Sequence, residues 1–375
     1  MKVLHVITSL EIGGAERLMV DLLPRLRGNG DNDIEILLFN GIDTPFKNSL
    51  ITKGIKIYEL SHSKDYKKIH RYWSAYDPTH IFRLKKYIQK YDIIHTHNTA
   101  CQFYVPIAAT FYKSSVKLVT TEHSINNRRR SIGWFKRFDQ WMYNKYNAII
   151  CISDQAKNAL INHVRRNTAN NIIIINNGVD VNRFAKPIAD ISSRKDYMIS
   201  MIAAFRKEKD HESLLRAMSR LPKNYRLQLA GRDFDERVAG LKKICREYGI
   251  EDRVVFLGPR SDVPELLEKS DVVVLSSHWE AFGLAAVEAM ASGRPLIASD
   301  VGGLRDVVGG AGVLFPHGDD KALAEKIQYL CEHPDEYREV AERCQEKAKQ
   351  YDISVMAEKY LELYKKVYEE NQKDN

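Results

Sequence analysis

Short runs of Val, Ile and Leu without polar alternation recur along this chain, each followed by a stretch of helical periodicity. Strands that read apolar throughout are buried on both faces, the condition of a parallel sheet covered by helices. In the first half the runs are Lys2–Thr8, Asp33–Phe39, Lys56–Leu60, Asp92–Thr96, Lys117–Thr121, Ala148–Ile152 and Ile172–Ile175. Gly14–Arg27 carries Leu18, Leu22, Leu23 and Leu26 at helical spacing, and Trp134–Tyr146 and Asp154–Val164 read the same way. A polar stretch, Lys186–Asp196, reads as a linker. The pattern then restarts, with strands predicted at Met198–Ala203, Arg226–Ala230, Arg253–Leu257, Asp271–Leu275, Pro295–Ala298 and Gly312–Leu314. Helices are predicted at His211–Leu221, Asp235–Tyr248, Val263–Lys269, Gly283–Ser292 and Lys321–Glu332. This repeated alternation predicts an α/β fold of two Rossmann-like, doubly wound domains facing a cleft, 1–190 and 191–352. A length of 375 residues suits two domains.

The tail from Asp335 to Asn371 reads as helix. Ile353, Met356, Tyr360, Leu363, Tyr364 and Val367 form a stripe at three- and four-residue steps. A helix over 353–375 must bury that stripe, either on its own domain or by crossing back to the first.

Charge separates the halves. Residues 1–190 hold 28 basic and 16 acidic side chains, net +12, whereas the remainder is −4. A basic half suits an anionic partner: nucleic acid, a phosphorylated substrate or an anionic membrane surface. The five cysteines are scattered without a C-x-x-C pair, which argues against a disulfide framework or cysteine zinc site and fits a reducing, cytoplasmic setting. The N-terminus reads as a first strand with no small-residue cleavage site. No run reaches about 18 uninterrupted apolar residues, so no membrane span is expected.

In open α/β sheets ligands bind beyond the carboxyl ends of the strands, so the loops there carry the candidate chemistry. After the first strand, Gly13 and Gly14 open a helix and allow an anion to approach its free amides. The spacing is not G-x-G-x-x-G, so a nicotinamide cofactor is not indicated. After the apolar run ending at Leu275 comes Ser276-Ser277-His278-Trp279-Glu280-Ala281-Phe282-Gly283-Leu284-Ala285-Ala286-Val287-Glu288. Phe282, Gly283 and Leu284 stand at a helix start, where unpaired amides favour a diphosphate. Glu280 precedes that helix. Glu288 sits about one and a half turns into it, placed to accept from a vicinal diol such as a ribose. Two glutamates so placed do not form a bridged metal pair.

At these residues the chain resembles a known family. Glu280-x7-Glu288, read as E-A-F-G-L-A-A-V-E, resembles the signature of retaining GT-B glycosyltransferases of family 4 (glycosyl transferases group 1). Ala289-Met290-Ala291-Ser292-Gly293-Arg294-Pro295 and Gly302-Gly303 follow in the family's order. Gly13-Gly14-Ala15-Glu16, Asp92–Asn98, Thr121-Glu122-His123 and Asn177-Gly178-Val179-Asp180 with Phe184 resemble its other motifs. The ordered set covers nearly the whole chain.

The resemblance implies metal-independent transfer of a sugar from a UDP- or GDP-linked donor to a glycan or polyprenyl-diphosphate-linked acceptor, with no cofactor. It assigns Glu280 to the transferred sugar, Glu288 to the ribose, the amides of Phe282, Gly283 and Leu284 to the diphosphate, and Gly13 and Gly14 to the donor. His123 would contact or position the sugar, with His97 and Asn98 on the acceptor side. Lys209 fits the family's lysine. The usual arginine slot, five before it, holds Ala204, and Arg206 lies three before it instead. Breaking the sugar–phosphate bond puts negative charge on the diphosphate, which Gly14, Lys209 and Arg206 would stabilise. Front-side substitution, in which the departing phosphate takes the acceptor's proton, needs no protein nucleophile. Similar enzymes act on lipid-linked acceptors at the cytoplasmic face of a membrane. Arg128–Arg130 and Trp134–Arg137 mix cations with aromatics in a way that suits peripheral contact with an anionic surface.

Other functions fit the same residues less well. A non-hydrolysing sugar-nucleotide epimerase shares the architecture but needs its acids and histidines arranged differently. A glycosidase needs paired carboxylates and no nucleotide loop. Nucleic-acid binding would use the basic half, but no zinc finger, helix-turn-helix or RNA-binding aromatic motif is present. A non-catalytic subunit of the same fold would more readily have lost Glu280 or Glu288.

Overall fold

The computed structural model describes residues 1–11, 13–28, 32–62, 75–125, 135–164, 171–233 and 236–373, with side chains to residue 370. The chain divides into two units: Met1–Gly178 with Ile353–Asn375, and Val179–Asp352.

The first unit is a seven-stranded parallel sheet of β1 (Lys2–Ile7), β2 (Asp33–Gly41), β3 (Lys56–His62), β4 (Ile93–Thr96), β5 (Lys117–Glu122), β6 (Ala148–Cys151) and β7 (Ile172–Ile174), in the order β3-β2-β1-β4-β5-β6-β7. The order reverses between β1 and β4. Every residue of β4 and β6 is buried, as their unalternated sequences require. Register sets His5 opposite His95 across the β1–β4 pair.

The second unit is a six-stranded parallel sheet of β8 (Tyr197–Ile202), β9 (Tyr225–Ala230), β10 (Val254–Gly258), β11 (Val272–Leu275), β12 (Leu296–Ser299) and β13 (Val313–Phe315), in the order β10-β9-β8-β11-β12-β13. Its reversal lies between β8 and β11. Crevices beyond such reversals are where this architecture binds ligands. The loops flanking them follow β1 and β4 in one unit and β8 and β11 in the other.

Three expectations need correction. The tail is two helices, Pro334–Lys349 and Ile353–Lys373. They break at Gln350–Asp352, where the Tyr351 carbonyl accepts the Val179 N–H (2.9 Å) and the Asp352 carboxylate accepts the Val181 N–H (3.2 Å). Consequently the second unit starts at Val179, and residues 179–190 belong to it rather than to the first domain. Lys186–Asp196 is no free linker. The carbonyl of Lys186 accepts from Gln345 Nε2 (2.8 Å), that of Pro187 accepts from the Arg294 guanidinium (2.7 Å), and Lys186 Nζ pairs with Glu268 (2.7 Å).

The final helix crosses back. Its Ile353, Met356, Ala357, Tyr360, Leu361, Tyr364 and Val367 are buried with Val3, Leu18, Leu22, Ile36, Ile93 and Val119 of the first unit. Leu363 of the predicted stripe is only partly buried against the same cluster.

Candidate active site

In the second unit the two loops at the sheet reversal are tied together. The loop after β8 runs through a short 3-10 turn, Lys207–Lys209, to Asp210, whose left-handed backbone (φ 46°) lets it cap the helix His211–Arg220. Its carboxylate accepts the Ser213 N–H (3.2 Å) and hydroxyl (2.6 Å). The loop after β11 reaches over to it. The Ser276 hydroxyl donates to the Asp210 carbonyl (2.8 Å), and the His278 N–H donates to the Glu208 carbonyl (2.8 Å).

This stitching brings Lys209 and Glu280 together as an ion pair. Ser277 Oγ donates to the same carboxylate oxygen at 3.0 Å. The two charged side chains keep 23% and 13% of their surface, enough to meet a ligand while held largely out of solvent. Behind the loop, a Cβ on Gly303 would stand 2.4 Å from the Glu280 carbonyl oxygen, so only glycine permits this approach.

Gly283 takes a left-handed backbone (φ 91°) and opens the helix Leu284–Ala291. The first turn closes with Ala286 N–H on the Gly283 carbonyl (2.9 Å), leaving the preceding amides at the helix start for an anion. Phe282 is buried and packs edge-on against Tyr351 at 5.4 Å, so its side chain anchors the loop and only its backbone can serve a ligand. Glu288 is half-buried on this helix, between buried Val287 and Ala289. Arg206 is half-exposed and lies 3.7 Å from Glu208, turned to a different carboxylate from the one Lys209 holds.

In the first unit Gly13 and Gly14 lead into the helix Gly14–Gly28, and the Gly13 carbonyl accepts the Arg17 N–H (2.9 Å). Asn98 precedes the helix Thr99–Phe111, and its Oδ1 accepts the Thr8 N–H (3.3 Å), linking the loops after β1 and β4. The period of two places His95 and His97 on one face of the sheet, and Thr121 and His123 likewise. His97 is buried with both ring nitrogens engaged: Nε2 lies 2.9 Å from His5 Nδ1 and Nδ1 lies 3.4 Å from His123 Nε2. It therefore supports His123 rather than facing a ligand. Burial lowers the pKa of His5 to about 3 and of His123 to about 4, and holds His95 and His97 well below the usual imidazole range. All four rings are neutral at physiological pH. Glu122, beside His123, is anchored by Gln102 Nε2 (2.8 Å) and the Tyr143 hydroxyl (2.6 Å).

Sequence reasoning missed His5 and His95. The signal was present in the H-x-H of 95–97 and the T-x-H of 121–123, both at strand ends with a period of two. His5 needs the register to be found.

Among the described residues, His5/His95/His97 and Asp210/His278/His317 bring three potential metal-ligating atoms within 4.8 Å of one another. In both groups these atoms are already engaged in protein hydrogen bonds, including His278 Nδ1 with His317 Nε2 at 2.6 Å. Arg128–Arg130 and Trp134, of the segment expected to meet an anionic surface, lie outside the described residues. Lys136 and Arg137 are exposed on the helix Phe135–Tyr143. Among the described residues no helix is long and apolar enough to cross a membrane.

The profile of the family "Glycosyltransferase Family 4" matches residues 12–183, and that of "Glycosyl transferases group 1" matches residues 184–351. The chain is 31% identical over 178 residues to N-acetyl-alpha-D-glucosaminyl L-malate synthase of Bacillus anthracis, a match covering 47% of this chain and 46% of that protein. It is 25% identical over 346 residues to GDP-mannose:cellobiosyl-diphosphopolyprenol alpha-mannosyltransferase of Xanthomonas campestris, covering 88% of this chain and 87% of that protein. In fold it is similar to Anabaena Alr3699/HepE, solved with UDP (TM-score 0.83) and with UDP-glucose (TM-score 0.80); both are 24% identical and cover 98% of this chain and 100% of that chain. With two parallel sheets, matched halves and both glutamates of the motif in place, the chain belongs to the group 1 glycosyltransferases of GT-B fold.

Proposed function

We propose that this glycosyltransferase moves a hexosyl unit from a UDP- or GDP-linked donor to a hydroxyl of a glycan or polyprenyl-diphosphate-linked acceptor, with retention and without a metal. The observation that carries the reading is the Lys209–Glu280 pair at the reversal of the second sheet, next to the helix that Gly283 opens. As the sugar–phosphate bond breaks, negative charge grows on the diphosphate and positive character on the sugar. Lys209 and the amides from Gly283 onward meet the first, and the Glu280 carboxylate meets the second. Glu288 takes the ribose hydroxyls. Arg206 is assigned to a phosphate that draws it away from Glu208. No side chain is assigned as nucleophile, so the departing phosphate takes the acceptor's proton and the new bond forms on the face the old one leaves.

The donor class is supported by relatives named for GDP-mannose and solved with UDP-glucose. The acceptor class is supported by the diphosphopolyprenol in the name of the Xanthomonas enzyme and by the basic first half of the chain. On this reading the reaction belongs to surface polysaccharide assembly on the cytoplasmic side, with the basic unit at the anionic membrane surface. The test is transfer in EDTA from UDP- and GDP-hexoses to a polyprenyl-diphosphate-linked saccharide, with the product's anomeric configuration read by NMR. Retention in EDTA supports the reading. Inversion, a metal requirement, or isomerised donor without acceptor overturns it.

A further inference from the structure

A continuous hydrogen-bonded chain runs through the first unit from its last helix to His123. The Tyr360 hydroxyl lies 3.1 Å from Thr121 Oγ1, which lies 2.8 Å from His95 Nε2. His95 Nδ1 is 2.5 Å from the Tyr364 hydroxyl, which is 3.3 Å from His5 Nε2. His5 Nδ1 is 2.9 Å from His97 Nε2, and His97 Nδ1 is 3.4 Å from His123 Nε2, the longest link. Every member before His123 is buried.

Each neutral imidazole has one donor and one acceptor, so it passes a direction on, whereas a hydroxyl can accept from both sides. An order that converges on Thr121 or Tyr364 leaves that buried hydroxyl's proton without an acceptor among the described residues, so the two unidirectional orders are the ones to compare. If protons point away from His123, Thr121 donates to Tyr360, and the buried Tyr360 O–H is left without an acceptor among the described residues. If they point toward His123, every proton is used but the one on Nδ1 of the half-buried His123 ring. Tyr360 donates to Thr121, Thr121 to His95, His95 to Tyr364, Tyr364 to His5, His5 to His97 and His97 to His123. The one proton left over then sits on the half-buried His123 ring, where a ligand or water can take it, which costs less than leaving the fully buried Tyr360 O–H with no acceptor.

We propose that this chain is a tautomer lock: His123 Nε2 is held as an acceptor, its proton sits on Nδ1, and His123 meets a substrate oxygen as a hydrogen-bond donor rather than as a base. Among the described residues His123 Nδ1 has no partner, which leaves it for that oxygen, a sugar or acceptor hydroxyl. Tyr360 and Tyr364 are then positioning residues, acting through His95, His5 and His97 from the far end of the sequence. What His123 touches rests on the sugar-transfer reading; where its proton sits does not.

The test is a two-bond 1H–15N spectrum of the histidine rings of the full chain at pH 7.5, without donor or acceptor. His123→Asn identifies the His123 signals by their loss. The expected result is protonated Nδ1 and bare Nε2 in about tenfold excess or more over the other tautomer. Tyr364→Phe, which disconnects the helix from His5, is expected to cut that excess to about threefold or less while the chain stays folded. A proton on Nε2, an even mixture, or a stoichiometric metal on His5, His95 and His97 by elemental analysis would overturn the lock. In transfer assays His123→Asn, whose amide N–H falls near the place of Nδ1, is expected to keep about tenfold more kcat than His123→Gln, whose amide falls near Nε2. Equal loss in both, with the tautomer as stated, would overturn the donor role alone.

Discussion

Lys209 and Glu280 form an ion pair across the two loops that flank the reversal of the second sheet, and Ser277 donates to the same Glu280 oxygen at 3.0 Å. Neither loop could aim its side chain alone. Ser276 and His278 bond the backbone of the opposite loop and bring the pair into register.

Removing this cation should cost transition-state stabilisation. Lys209→Ala is expected to lower kcat about 10²- to 10³-fold, the usual loss when one preorganised group at a developing charge is deleted. Steady-state kinetics with saturating donor checks it. A lower melting temperature with unchanged kcat would make the pair purely structural.

Buried neutral histidines predict how stability depends on pH. In the unfolded chain His5, His95 and His97 titrate near 6.5, whereas in the native state burial holds His5 at about 3 and the other two well below the usual range. Below pH 6.5 the unfolded chain therefore binds protons that the native chain does not. Stability is complete above pH 6.5 and falls as the pH drops, by about 1.4 kcal/mol per pH unit for each group once it is well below 6.5. For His5 the loss ends near its native value of about 3. Urea unfolding at pH 7.5, 6.5, 5.5 and 4.5 measures the slope. His5→Gln should be less stable at pH 7.5 yet show a slope smaller by about one proton. An unchanged slope would mean that His5 is not held neutral.

The last helix should behave as core of the first unit. Met356→Ala empties a buried position and is expected to cost about 2–5 kcal/mol. Lys359→Ala, on the exposed side of the same helix, should stay within about 0.5 kcal/mol. Denaturant midpoints compare them. Equal, small effects would place the stripe outside the core.

Much of this was legible in the sequence, for physical reasons. Short unalternated runs rich in β-branched residues, such as Val272–Leu275, read as strands covered on both sides, so the parallel sheets follow from the strand sequences. The apolar stripe from Ile353 to Val367 was equally plain, but a stripe does not name what covers it. The break at Gln350–Asp352 was hidden because the bonds that make it go to Val179 and Val181, far away in sequence. Lys186–Asp196 looked like a linker because its anchors are main-chain carbonyls, invisible in a list of side chains. Thr99–Phe111 is buried on much of its surface and contains Pro106, so it lacks the amphipathic period that would mark it as a helix. Glu280 and Lys209 were found from motif position, but their pairing required the fold. His5 and His95 were missed because each sits alone within a buried run, and only strand register makes them neighbours.

The central claim is that the second unit holds a nucleotide-sugar donor through Lys209, the helix start at Gly283, and Glu288. The most direct measurement is calorimetric binding of UDP, GDP and ADP in EDTA to the full chain and to Glu288→Ala. The account predicts that UDP or GDP binds the native chain without a metal and that Glu288→Ala weakens it at least about tenfold, roughly the 1.4 kcal/mol of a ribose hydrogen bond to a carboxylate. Absence of binding by any of the three at millimolar concentration, or binding only after a divalent metal is added, would contradict it.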